Sequence, residues 1–398
     1  MKILCVYATR QLDSNLMMSS TIFNGLYQNG YEVDMVFGGT AEVISEFSKK
    51  YSKYFNKVYY IKIEEFSIKR LFSKLPKGDI IYSYCLHFVY DQLFRGYDRS
   101  IYNEILKDSG NYDLILSFIP PIISGKLAID INKICFNNQV KLIQFWTDPL
   151  SLGRCNSVDD IPWYRFIHRL AEKNLLKLAY KSVFCYPLLC DMERLLYPQY
   201  KDKITWSDIG YLERDVNLSK EQSIMQQEES NSSNKYTIGL FGSFHSSVRN
   251  IEPLLNAAKS FSDTRFIIRG DSDLINFSGV TPNVDIKAGR MPASDIELLE
   301  NSCDALVILG NIGGIQIPGK VYYYSNYQKP LICICDSEHS DAFKKYLTPL
   351  KRYILCDNNI ESIKEGIEKA LDELVYKTCW EVPERLEPRV IARKLVEL

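Results

Sequence analysis

Short runs of branched, apolar residues recur along the chain, each too brief for a helix that crosses a core and apolar on both faces. Lys2–Tyr7 is the first, and Ser19–Asn29 follows with helical spacing through Ile22, Phe23, Leu26 and Tyr27. Gly30 ends that helix, and Glu32–Phe37 is the next strand. A strand that is apolar on both faces needs cover on both sides. A β-α-β opening therefore predicts a parallel sheet with helices packed against it. The pattern recurs at Asp79–Ser83, Leu114–Phe118, Lys141–Trp146, Ser182–Tyr186 and Ile204–Tyr211. A helix over 165–181 carries Phe166, Leu170, Leu175, Leu176 and Leu178 on its expected apolar side.

One break interrupts this alternation. Residues 217–235 are rich in Gln, Glu, Ser and Asn, with almost nothing to bury, and predict an exposed linker. Beyond it the alternation restarts. The expected strands are Tyr236–Phe241, Phe266–Ile268, Ala305–Leu309 and Pro330–Cys335. The expected helices are Ile251–Phe261, Asp295–Ser302, one from Lys320, and one capped by Asn359 with Ile363, Ile367, Leu371 and Leu374 inward. The predicted fold class is α/β, with two doubly wound Rossmann-like domains facing across a cleft. The expected boundaries are 1–216, the linker 217–235, 236–378, and a C-terminal helical segment 379–398 that returns to the first domain.

Composition removes several function classes. The 398 residues hold 48 Lys and Arg against 49 Asp and Glu, without the basic excess of a general nucleic-acid binder. Eleven cysteines are scattered without a C-x-x-C pair, so they read as small core residues of a reducing compartment rather than metal ligands. MKILCVYATR turns polar too early for a signal-peptide apolar region, and DLILSFIPPIISGKLAI is broken by prolines, a glycine and a lysine. A cytoplasmic protein is expected.

In open α/β sheets ligands bind at the carboxyl ends of strands, so residues that follow strands are the candidates. After Ala305–Leu309 comes GNIGGIQIPGK, with Gly310, Gly313, Gly314 and Gly319 ahead of Lys320 at a helix start. Glycines allow close backbone approach, and the opening of a helix favours phosphate. The plain alternative is a solvated lysine after an ordinary loop. After Tyr236–Phe241 the turn Gly242-Ser243 leads to Arg249, either a fork for a diphosphate or a surface ion pair. Neither G-x-G-x-x-G nor a P-loop sequence occurs, which counts against dinucleotide oxidoreductases and P-loop enzymes. In the first domain Asp148 closes the strand 141–146 with aromatic rings nearby that can stack on a sugar; it could also cap the turn. His87 follows Asp79–Ser83 and reads more simply as structural. Asp271 and Asp273 have the look of a metal pair but also ordinary turn composition, and no metal is expected.

With these residues in view the chain resembles GT-B fold glycosyltransferases, nearest to the retaining family four. YTIGLFGS (236–243) with Arg249 is similar to that family's first strand and turn, and FIIRG (266–270) to the strand before the nucleotide pocket. CDALVILGN (303–311) is similar to its following strand. IPGKVYYYSNYQKPLI (317–332) resembles its "P-x-K-h-h-E-Y" helix and strand. In the first domain FWTDPL resembles the "R-D-P-W" turn, Glu172 lies in a helix like the family's, and Asp208–Tyr211 resembles "h-x-N-G". The resemblance implies that Arg249 and Lys320 hold the donor diphosphate, with Gly242 and Ser243 beside it. It further implies that Gly313, Gly314 and Ile315 lie by the donor sugar, and that Gly289, Arg290 and Met291 lie by the nucleobase. The family's glutamate pair is absent: Ile315 and Tyr323 stand at those positions. The first loop lacks the usual glycines, and Trp146-Thr147 replaces the arginine before the aspartate.

The function expected from this resemblance is transfer of a sugar from a UDP- or GDP-sugar to a glycan or lipid-linked oligosaccharide in polysaccharide biosynthesis. Asp148, Lys320 and Arg249 are the catalytic candidates, and no cofactor is needed. The alternatives are a GT-B-like sugar-nucleotide epimerase and a non-enzymatic two-lobed sugar-binding protein. Two basic strips suggest peripheral association with an anionic membrane on its inner face. One is Lys69, Arg70, Lys74 and Lys77, interleaved with Phe66, Ile68, Leu71, Phe72 and Leu75; the other is Arg165, Arg169, Lys173, Lys177 and Lys181. The plain alternative is a solvated helix face.

Overall fold

The computed structural model describes residues 1–10, 14–63, 100–108, 112–152, 162–213, 235–271, 281–313 and 315–398. The expected strand Asp79–Ser83, most of the linker 217–235, the first basic strip, His87, Asp273 and Gly314 lie outside the described residues.

The chain divides into two compact units. The first takes in Met1–Ser151, Val158–Gly210 and Glu387–Leu398, and the second takes in Tyr211–Leu386. The expected C-terminal segment 379–398 is thus split after Leu386.

In the first unit the strands are β1 (Lys2–Ala8), β2 (Glu32–Gly39), β3 (Lys57–Lys62), β4 (Leu114–Ile119), β5 (Lys141–Trp146), β6 (Lys181–Phe184) and β7 (Ile204–Trp206). They lie in the order β3-β2-β1-β4-β5-β6-β7, and every pairing is parallel. The helices are α1 (Ser14–Gln28), α2 (Ala41–Tyr51), α3 (Ser100–Asp108), α4 (Ile122–Phe136), α5 (Pro162–Leu178) and α6 (Pro187–Leu196). The second unit repeats the design. Its strands are β8 (Tyr236–Phe241), β9 (Thr264–Gly270), β10 (Val284–Ala288), β11 (Ala305–Leu309), β12 (Leu331–Cys335) and β13 (Ile354–Asp357), in the order β10-β9-β8-β11-β12-β13 and again all parallel. Its helices are α7 (Glu252–Ala258), α8 (Ala293–Ser302), α9 (Lys320–Tyr324), α10 (Ser340–Leu347) and α11 (Ile360–Val375). In each sheet the order runs outward from the first strand one way and then the other. Right-handed crossovers therefore put helices on both faces. This is the doubly wound Rossmann-like architecture predicted for both halves.

The cores follow from the strand composition. Leu4, Val6, Val36, Tyr59, Ile61, Ile115 and Leu142 are buried in the first unit with Ile105 and Ile131 of its helices. Ile238, Leu240, Val307, Ile332 and Ile334 are buried in the second with Ile363 and Ile367 of α11, whose cap Asn359 accepts the Ser362 N–H at 2.9 Å. The last helix, α12 (Pro388–Val396), packs on α1. Gly25 makes that contact possible: a Cβ there would lie 2.0 Å from the Pro388 carbonyl oxygen. Asn29 Nδ2 donates to the Arg389 carbonyl at 2.8 Å, and Ile391 and Leu395 are buried. Each of those two side chains contributes about 1.5–3 kcal/mol.

The expected apolar side of α5 is not a single face. Leu175 and Leu176 are buried, but Phe166, Leu170 and Leu178 are 61%, 46% and 55% exposed. The inner face is completed instead by Ala171 and the carboxyl of Glu172. No helix of the described residues is long and apolar enough to cross a membrane.

A second carboxyl lies close by. Glu193 on α6 is fully buried, and neither of its oxygens has a hydrogen-bond partner. Burial, and then the charge of Glu172, raise its pKa well above the ordinary 4.5. A carboxyl raised in this way costs nothing below its unfolded value. Stability declines as pH climbs from there toward the folded value, because the folded state keeps a proton that the unfolded state releases. Glu193→Gln removes the ionisation, so its lead in melting temperature over the parent should be larger near pH 8 than near pH 5. An equal lead at both would show that Glu193 titrates alike in folded and unfolded chains.

Candidate functional site

The strand order of the second sheet reverses between β8 and β11, and the carboxyl ends of those strands flank the position where doubly wound sheets take ligands. β8 ends at Phe241 and turns through Gly242, whose φ of 126° is open mainly to glycine. The neighbouring strand β9 ends at Gly270, where a Cβ would meet the Gly242 carbonyl oxygen at 1.6 Å. Two chain segments thus pass each other backbone to backbone, and no side chain fits between them.

The loops after β8 and β11 are stitched together. The Ile312 N–H donates to the Val248 carbonyl at 2.7 Å, and Arg249 Nε donates to Asn311 Oδ1 at 3.1 Å. Arg249 Nη1 also donates to the Ser243 carbonyl. Lys320 reaches the same place from α9: a Cβ at Gly242 would be 3.3 Å from Lys320 Cε and 4.0 Å from Arg249 Nη1. Gly242, Ser243, Arg249 and Lys320, which lie up to 78 residues apart in the chain (320 − 242), are brought together.

Lys320 differs from its sequence expectation in one respect. A cation at a helix opening is disfavoured by the helix dipole unless an anion lies nearby, and the fold supplies one. Lys320 Nζ donates to Glu300 Oε1 at 2.6 Å and to the Tyr324 hydroxyl at 2.5 Å. Tyr324 in turn donates to Glu300 Oε1 at 2.5 Å, and Tyr327 donates to Glu300 Oε2 at 3.0 Å. Burial and then the Glu300 charge push the Tyr324 hydroxyl well above its ordinary pKa, so it stays a donor. The amides expected to face phosphate are also engaged, since Val321 N–H bonds the Pro318 carbonyl and those of Tyr322 and Tyr323 bond the Gly319 carbonyl.

The remaining candidates of this unit spread along the same edge. Gly289 follows β10, and its N–H donates to the Gly270 carbonyl at 2.8 Å. Arg290 Nε donates to Asp271 Oδ2 at 3.2 Å, yet the arginine side chain is 88% exposed, and Met291 is exposed beside it. Gly313 is half-buried and Ile315 is buried. The Tyr323 ring lies against Gly319, where a Cβ would be 3.3 Å from its Cε2.

Asp148 belongs to the first unit, half-buried in the loop after β5. That loop is held from α5. Glu172 Oε1 accepts the N–H groups of Leu150 at 2.7 Å and Ser151 at 3.1 Å; Oε2 accepts the Tyr197 hydroxyl at 2.7 Å and the Ser151 hydroxyl. His168 Nδ1 lies 2.9 Å from the Leu150 carbonyl. The aromatic rings expected to stack on a sugar do not reach it. Phe145 and Trp146 are fully buried, and Trp146 stacks on Phe184 with centroids 5.3 Å apart, because both belong to the core of a central strand.

Sequence reasoning missed Glu300, Tyr324 and Asn311. Glu300 had left a signal: it is an acid on the stripe Ile296, Leu299, Glu300, Cys303, whose spacing is that of an inward face. Lys320→Ala should therefore destabilise the fold by about 1–3 kcal/mol, since it strips a buried carboxylate of its cation. Adding Glu300→Gln should return part of that loss in a double-mutant cycle read by denaturant melts. Strictly additive losses would mean that the two side chains do not interact.

No family model matches this sequence, and no curated protein matches it. Solved structures do. Anabaena Alr3699/HepE in complex with UDP and glucose is similar over 100% of this chain and 96% of its own, at 13% identity and a TM-score of 0.55. A UDP-N-acetylglucosamine 2-epimerase is similar over 100% of this chain and 94% of its own, at 12% identity and a TM-score of 0.51. HepE in complex with UDP-glucose matches at 14% identity and a TM-score of 0.50. Over its full length this chain has the GT-B fold of two Rossmann-like domains.

Proposed function

We propose that this protein is a glycosyltransferase that moves a sugar from a nucleoside diphosphate sugar, UDP-linked in the first instance, to a hydroxyl of a glycan or lipid-linked acceptor in polysaccharide assembly. The observation that carries this reading is the convergence of Arg249 and Lys320 on Gly242 at the switch point of the second sheet. When a glycosidic bond to a diphosphate breaks, negative charge grows on the leaving phosphate. Two fixed cations beside a bare backbone turn stabilise that charge more than they stabilise the ground state. Lys320 arrives already oriented by Glu300 and Tyr324, so little rotamer freedom is lost when the diphosphate binds. The likeness to HepE, whose structures hold UDP, supports the choice of donor.

The epimerase alternative needs a free acid and base by the sugar. Of the described carboxylates on this edge, Glu300 is held by three donors, and Asp271 is engaged by Arg290 at 3.2 Å and His245 at 3.8 Å. That leaves Asp336, its pKa raised by burial at the end of β12, as the acid such a reaction would use. Incubation with radiolabelled UDP-sugars separates the classes. A transferase moves label to an acceptor or releases UDP, an epimerase returns an isomeric sugar nucleotide, and a binding protein leaves the donor unchanged.

Arg249→Gln should lower UDP affinity about ten- to a hundredfold, the worth of one charged hydrogen bond. Calorimetric titration with UDP and GDP measures it, and unliganded melting of the same variant controls for the loss of its bonds to Ser243 and Asn311. Unchanged affinity for the nucleotide that the parent binds would remove Arg249 from the site.

Catalysis should proceed without a divalent metal, because cationic side chains occupy the place where a metal would neutralise the diphosphate. Sugar transfer after exhaustive EDTA treatment is the readout. Activity that only manganese or magnesium restores would refute this arrangement.

A further inference from the structure

The outer face of α5 carries chemistry that neither the core nor the donor site uses. At 3.6 residues per turn, Arg169, Lys173, Phe166, Lys177 and Leu170 fall within an arc of about 100°, and all five are exposed. Leu178, 55% exposed, lies to one side of the arc beyond Asn174, and Tyr180, 43% exposed, follows the helix. The helix has one acidic residue, Glu172, and that is buried on the opposite face. Arg169, Lys173 and Lys177 make no ion pair among the described residues. At the C-terminal end Lys203 Nζ donates to the carbonyls of Lys177 and Ala179 at 2.9 and 2.8 Å, which extends the positive field.

We propose that this face of α5 docks on an anionic lipid bilayer. The mixture itself selects the partner. Cations alone would suit any polyanion, but Phe166 and Leu170 are interleaved with the cations on the same face. They would enter the boundary between headgroups and acyl chains while the basic heads meet lipid phosphates. A second copy of the chain is a poor occupant, because pairing this face with itself sets three cations against three. The opposite side of the same helix holds the Asp148 loop through Glu172 and His168. A bilayer on α5 would therefore lie one helix diameter, about 10–12 Å, from the backbone that presents Asp148. The docking needs no donor chemistry, so its test stands apart from the transferase reading.

Full-length protein is sedimented with vesicles of phosphatidylcholine alone and with phosphatidylglycerol added, across a salt series. Binding should require the anionic lipid and weaken as salt rises. Lys173→Gln with Lys177→Gln should weaken it about twenty-fivefold, at roughly fivefold per charge, while melting like the parent. Phe166→Ser with Leu170→Ser should reduce the part of the binding that survives high salt. Lys364→Gln with Lys369→Gln, a half-buried and an exposed position on α11 of the second unit, should change nothing. Equal binding to neutral vesicles would overturn the proposal. So would a lysine pair on α11 that matters as much as the pair on α5, or lipid-free self-association lost in Lys173→Gln with Lys177→Gln.

Discussion

Two parallel strands cannot be joined by a tight turn. Each connection must travel back along a helix, so every strand in a sheet ends at the same edge. The rest of this molecule depends on that constraint. In the second unit it brings the ends of β8, β9, β10 and β11 into one row, and with them Gly242, Gly270, Gly289 and Gly310. The reversal of strand order then opens a gap in the helical cover between β8 and β11, and the two loops that border it are bonded to each other by Ile312 and Arg249. The contact of Gly270 with Gly242 fixes how closely the strands can approach at that point.

Charge compensation decides what the gap can hold. Arg249 donates to neutral oxygens, those of Ser243 and Asn311. Lys320 shares its charge with Glu300 inside a ring of tyrosine hydroxyls. The site therefore presents two cations of different kinds, with Lys320 held in place by an internal carboxylate. Such a site suits a diphosphate that arrives with its own charge spread over several oxygens. It would draw small anions less strongly than two open cations would.

The central strands were legible because they are apolar on both faces, as β1, β4, β5, β8, β11 and β12 are. The edge strands of the second sheet were not. β10 (VDIKA) is half exposed and β13 (ILCD) is four residues long, so neither shows the two-sided pattern. Helix α4 was hidden for the opposite reason: IISGKLAIDI is mostly apolar, and the helix's polar stripe of Lys126, Asp130 and Lys133 is narrow. The same limit explains the misreading of α5, where three exposed apolar side chains inflated the apparent inner face. At the site, glycines and cations that follow strands could be found from local order. The partnership of Lys320 with Glu300 could not, because it joins two helices twenty residues apart and depends on how they pack.

The docking of α12 on α1 has a consequence for biosynthesis. A ribosome releases the first unit's sheet early, while the helix that packs against Gly25 of α1 is still to be made. The whole second unit must emerge before Ile391 and Leu395 can take their places beside Gly25. The domain that begins first is thus finished last. Through most of synthesis its α1 surface is a temporary apolar face, of the kind that chaperones hold.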